Sequence, residues 1–137
     1  MTAADPYLST QILTASPYRL HLMVIEGAVR FGSLGAMALE EHDLETAHLA
    51  LGKSRDFVSE LIGGLNDEYD PLLISRMKQI FLFAYANLAE GERDRDPAKV
   101  REALRILEMH HETWVELGSK LQTASDLTAA DSRDWTA

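Results

Sequence analysis

The chain has 137 residues, 46% of them apolar and 26% charged, enough for one domain with a substantial core and too apolar for a fully disordered polymer. Thirteen Lys and Arg against 22 Asp and Glu give a formal charge of −9, which disfavours a binder of nucleic-acid phosphates or of anionic membrane surfaces. The absence of cysteine removes disulfides, thiol catalysis and thiolate metal ligands.

The N-terminal stretch "MTAADPYLST" carries Asp5 and has neither a basic segment nor a continuous apolar one. It gives no support for a signal peptide, and a cytoplasmic protein without membrane insertion is the expectation. Four prolines then punctuate the chain, in Asp5-Pro6, Ser16-Pro17, Asp70-Pro71 and Asp96-Pro97. Each places a side-chain acceptor for free helix N–H groups before a residue whose missing N–H is not needed in the first turn. Three of these pairs open long helices, and a fourth helix starts after Asp43, with Glu45 in its positive first turn. The expected helices lie near 17–41, 44–65, 71–90 and 97–121. Their short connections force neighbours to run antiparallel. The predicted fold is all-α: an antiparallel up-down four-helix bundle in a single domain, with a core over 17–121. A short helical or capping segment precedes it over 1–16, and a polar, frayed tail follows over 122–137.

Periodicity then shows more apolar surface than one bundle seam needs. On the first helix, Leu20, Val24, Gly27, Phe31, Leu34 and Ala38 recur at steps of three and four and form the predicted seam. A second row, Leu22, Ile25, Val29, Ala36 and Leu39, lies roughly 100° further round. The third helix repeats the pattern, with Leu73, Met77, Ile80, Ala84 and Leu88 as seam and Ile74, Phe81, Phe83 and Tyr85 beside it. On the second helix the seam is Leu44, Ala47, Leu51, Val58 and Leu61, leaving Leu49 and Phe57 off it. Trp114 is placed in the core with Val100, Leu104, Leu107 and Leu121. Broad stripes on several helices of one small bundle point to a partner surface, because soluble monomers seldom leave large contiguous apolar patches uncovered.

A family resemblance is carried by several of these stretches. "TASPYRLHLMVIEGAVRF", residues 14–31, resembles the TASP-x-x-L-x-x-M-L-Y-D-G-A-I-R-F signature of the FliS family of flagellin-specific export chaperones. The motif positions are Thr14, Ala15, Ser16, Pro17, Glu26 and Gly27. Tyr7 and Gln11 upstream, "DLETAHLALGKSRDFVSELIGGLN" at 43–66 and "ALRILEMHHETWVEL" at 103–117 with its Thr-Trp pair extend the similarity from Tyr7 to Leu117. The chain departs from the pattern at Ile25 and Glu26, where the family has Tyr-Asp, and in its long polar tail.

The resemblance implies a cytoplasmic bundle that holds the disordered C-terminal segment of flagellin in hydrophobic grooves. It further implies that the bundle prevents premature polymerisation and delivers flagellin to components of the type III export gate. On that reading the candidate flagellin contacts are Tyr7, Leu8, Ile12, Leu22, Met23, Ile25, Val29, Leu49, Phe57, Ile74, Phe81, Phe83 and Tyr85. Met23 and Met77 suit irregular client surfaces. Tyr7, Leu8 and Ile12 have two open placements, a lid displaced by flagellin or a permanent cap on the bundle end. The free protein is expected to be a monomer or weak homodimer, and no cofactor or metal is expected.

Two alternatives compete. A helical interaction or dimerisation module for another client has the same periodicity and charge. A di-metal carboxylate bundle would use Glu45-x-x-His48, Glu108-x-x-His111 and Glu26. That constellation is incomplete, because the third helix has no acidic residue between Pro71 and Glu90. "HETWV" from His111 also lacks the second histidine of a zincin. His21, His42, His110 and His111 are read as solvated or internally satisfied.

Overall fold

The computed structural model describes residues 16–65 and 70–134, with side chains described through residue 122. Four helices follow one another: α1 Pro17–Glu40, α2 Leu44–Gly63, α3 Pro71–Arg93 and α4 Pro97–Asp134. Helices adjacent in sequence pack together and α1 also packs on α4, which closes the up-down bundle. Tyr7, Leu8, Gln11, Ile12, Thr14 and Ala15 lie outside the described residues.

Local chemistry sets the helix starts. The side-chain oxygens of Ser16, Asp43 and Asp70 accept from the N–H groups of Arg19, Thr46 and Leu73, each at 3.2 Å, and Asp96 accepts from Ala98 at 3.0 Å. At the C-terminal ends of α1 and α3 the chain reverses through paired bonds. Asp43 and Asp96 donate to the carbonyls of Ala38 and Gly91, while His42 and Arg95 donate to those of Leu39 and Glu92. His42 and Arg95 therefore adopt φ of 59° and 53°, a left-handed conformation that favours glycine. Arg95→Gly is accordingly expected to raise stability by about 0.5–1 kcal/mol, read as a higher urea midpoint at unchanged slope. The backbone of α4 stays helical through Asp134, past the boundary expected near residue 121.

The core corrects the phase of two predicted seams. On α1 the buried positions are Ile25, Gly27, Ala28, Gly32, Gly35, Ala36, Ala38 and Leu39, whereas Leu34, assigned to the seam, is exposed. The reason is close approach. Small residues let α1 sit against two neighbours, and a Cβ on Gly27 would lie only 2.8 Å from the Phe57 ring. On α3 the buried set is Ile74, Phe81, Ala84, Leu88 and Gly91, while Leu73 and Ile80 face outward. Leu44 and Leu121 are likewise exposed. Ser54 is wholly buried and donates its hydroxyl to the Ala28 carbonyl at 2.7 Å, joining α2 to α1.

Polar contacts tie the remaining edges. Glu92 on α3 accepts from His48 and Arg55 of α2, both at 2.8 Å. Partial burial opposes its charge, but these hydrogen bonds outweigh that and hold the carboxyl below the ordinary glutamate range. Among the described residues, α1 is the one helix whose length and apolar composition would suit a membrane span. Its buried positions, Ile25, Ala28, Ala36, Ala38 and Leu39 among them, belong to the bundle core, and the helix packs on α2 and α4.

Candidate functional site

An apolar groove of about 810 Å³ runs between the outer faces of α3 and α4. Its α3 side is built from Leu73, Met77 and Ile80, spaced by four and three residues, with Arg76, Gln79 and Phe83 on the adjoining arc. The α4 side carries Ile106, Met109, His110, Thr113, Trp114 and Leu117 at the same spacings. The helices are antiparallel, so Leu73 stands level with Leu117 and Phe83 with Ile106. The groove is about 15 Å long, from ten residues at about 1.5 Å each. Ile80 remains 42% exposed and Phe83 52% exposed, which leaves this surface without an intramolecular cover among the described residues.

Aromatic rings floor the groove. Trp114 stacks on Tyr18 at 6.3 Å between ring centres, and lies 4.3 Å from the ring of His21 and 5.7 Å from that of His110. Phe81 reaches up from the core to meet His110 edge-to-face at 4.9 Å. Tyr18 can lie down on α4 because Gly118 has no side chain there; a Cβ at that position would collide with the Tyr18 hydroxyl. The indole N–H of Trp114 is buried without a hydrogen-bond partner among the described residues.

Of the sequence-derived contacts, Phe83 lines the groove. Ile25 and Phe81 are wholly buried and Ile74 nearly so, which corrects their placement on a free surface: they build the core. Trp114 is corrected in the opposite direction, from core to half-buried groove residue. Leu22, Met23 and Val29 are half-buried on α1. Val29 borders a smaller cleft of about 230 Å³ with Glu26, Arg30, Glu108 and His111. Tyr85 is exposed on α3 outside the groove, and Leu49 is exposed on α2. Phe57 covers Gly27 and stacks on Phe31 at 5.9 Å.

Leu73, Ile80, Ile106, Met109, Thr113 and Leu117 were missed as site residues. The signal for the α4 side was present, since 106, 109, 110, 113 and 117 repeat at three and four. The two Glu-x-x-His pairs do not converge. His48 bonds Glu92, whereas His111 lies 3.7 Å from Glu26, and the antiparallel register separates these levels by about 15 Å along the bundle.

An apolar groove between two helices, open among the described residues, is the kind of surface on which an amphipathic partner segment can dock. A family model described as flagellar protein FliS matches residues 1–121, and the chain belongs to that family. A relative named flagellar secretion chaperone FliS, from Bacillus subtilis (strain 168), is 26% identical over 117 residues, covering 83% of this chain and 86% of the relative. Another of that name, from Vibrio cholerae serotype O1 (strain ATCC 39315 / El Tor Inaba N16961), is 21% identical over 124 residues, covering 90% and 89%. The family and these names indicate a flagellar secretion chaperone, and the family is one of chaperones, not of enzymes.

Proposed function

We propose that this protein is a cytoplasmic chaperone that holds the disordered C-terminal segment of flagellin in the α3–α4 groove. It thereby prevents premature polymerisation and presents flagellin to the flagellar type III export apparatus. The observation that carries the reading is the apolar groove, uncovered among the described residues, lined by Leu73, Met77, Ile80, Phe83, Met109, Trp114 and Leu117 in a member of the FliS family. Its two methionines and single-sided aromatic floor suit a client whose contacts are many and shallow. Ordering such a segment costs several kcal/mol, so an extended interface is needed to hold it. Leu22, Met23, Val29, Leu49 and Tyr85 are proposed as further contacts along the client's path, and residues 1–13 as the segment that contacts or shields it.

Calorimetric titration with a peptide from the C-terminus of flagellin of the same cell tests the reading. The expected result is saturable one-to-one binding with a negative heat-capacity change, the mark of apolar burial. A folded protein that takes up no peptide would overturn it. A tight homodimer by light scattering, with the groove inaccessible to peptide, would favour a dimerisation module instead.

A further inference from the structure

His21 on α1 and His110 on α4 meet across the helix pair with their Nε2 atoms 2.8 Å apart. At that distance one ring donates its N–H and the other accepts, so two neutral rings in complementary tautomers form the bridge. Both rings are half-buried, and each stands in ring contact with Trp114 and Phe81. His110 and Trp114 are also part of the groove. The bridge therefore fixes the α4 wall of the groove to α1 from behind.

We propose that the His21–His110 pair is a proton-operated latch: neutral, it ties α1 to α4 and sets the α4 wall of the groove, and its protonation loosens that wall and weakens client binding. This is a regulation of the proposed flagellin groove and rests on that reading of the site. A first proton can be shared as an imidazolium–imidazole hydrogen bond. A second leaves two donors facing each other with no acceptor and two positive charges at close range.

The surroundings favour the neutral pair. Burial, then the nearby His21 and His111, press His110 down to about 4, and burial lowers His21. From α3 the group in ring contact with the pair is Phe81, with Arg76 across the groove. From α4 come His111 and Trp114, and the nearby carboxylates Glu108 and Glu112 are exposed. From α1 comes, about one turn on, Glu26, which lies by His111 at 3.7 Å, while Tyr18 stacks on Trp114. The register set by Phe57 over Gly27 brings Gly63 of α2 level with His21, with Glu60 about a turn away.

The sign follows from linkage. Because both folded values lie below the unfolded imidazole value of 6.5, the unfolded chain takes up protons first as the pH falls. The latch then contributes its full stability above 6.5 and loses it through the window down to about 4. A client lying over His110 removes it further from water, which lowers its proton affinity again. Client affinity accordingly declines only as the pH approaches the folded His110 value of about 4, because well above it His110 of the free folded protein is already neutral.

The test compares the full chain with its His21→Gln/His110→Gln variant, in which two amides can keep a donor–acceptor bridge without titrating. Urea unfolding without client is followed by tryptophan fluorescence from pH 7.5 to 4, and the histidine ring protons are titrated by NMR over the same range. Carboxylates and the other histidines are common to both proteins and cancel in the comparison. The wild type is expected to lose stability relative to the variant as the pH falls, with His110 titrating well below the ordinary histidine value. In the same series the flagellin peptide should weaken by about twofold more on wild type than on the variant by pH 4, where about half of His110 in the free protein is protonated.

Parallel stability curves, an ordinary His110 titration, or peptide binding with the same pH dependence on both proteins would each overturn the latch. Absent peptide binding at pH 7.5 would instead overturn the groove as the client site. The client-free arm still judges the bridge itself in that event. Should the double variant fail to fold, His21→Gln alone carries the comparison, since it leaves His110 without a like-charged partner and should raise the His110 midpoint.

Discussion

Phe81→Ala is expected to lower the stability of the bundle by about 3–5 kcal/mol, the range for emptying an aromatic side chain from a core. Phe81 is wholly buried, packs within the central cluster with Ile25, Leu88 and Leu107, and supports His110 from below. Its removal leaves a cavity at the point where α3, α4 and α1 share contacts, so little neighbouring structure can collapse into it. A domain of this size has total stability of about 5–15 kcal/mol, and the variant should be marginal at physiological temperature. Urea denaturation at pH 7 is the measurement. A loss below about 1 kcal/mol with selective loss of peptide binding would mean that Phe81 is a surface contact after all, as its place beside the predicted seam suggested.

The contrast between Phe81 and its neighbour Ile80 shows which part of the architecture was legible. Helix starts were, because a capping oxygen followed by proline is a local signal that needs no knowledge of neighbours; Ser16, Asp70 and Asp96 all act as read. The existence of surplus apolar surface was legible too, since periodicity counts rows. The choice of row was not. On α3, Leu73, Met77 and Ile80 obey the same spacing as Ile74 and Phe81, about 100° apart, and the pattern alone does not say which row meets the rest of the bundle. On α1 the contact face is marked by Gly27, Ala28, Gly32, Gly35 and Ala36, residues that contribute little hydropathy but allow close helix approach. A search for small residues at helical spacing would have found it. The His21–His110 bridge spans 89 positions and depends on the α1–α4 register, which no local pattern encodes.

Ile80→Glu should have the opposite profile: stability within about 1 kcal/mol of the wild type and client affinity reduced by about a hundredfold or more. Ile80 is 42% exposed in the middle of the groove, opposite His110, so a glutamate there can keep its carboxylate in water in the free protein. Glutamate is also a good helix former, and the substitution removes exposed apolar area. In the complex the same carboxylate would be buried between the client and the apolar wall of Met77, Phe83 and Trp114, and burying an incompletely paired charge is strongly unfavourable. Arg76 stands about a turn away on α3, close enough to soften the effect in part. The measurement is peptide titration beside urea unfolding on the same preparation. Unfolding of the variant would return Ile80 to the core seam that periodicity assigned it. Full stability with undiminished peptide binding would place the client elsewhere on the bundle, with exposed Leu49 on α2 and Tyr85 on α3 the next positions to substitute.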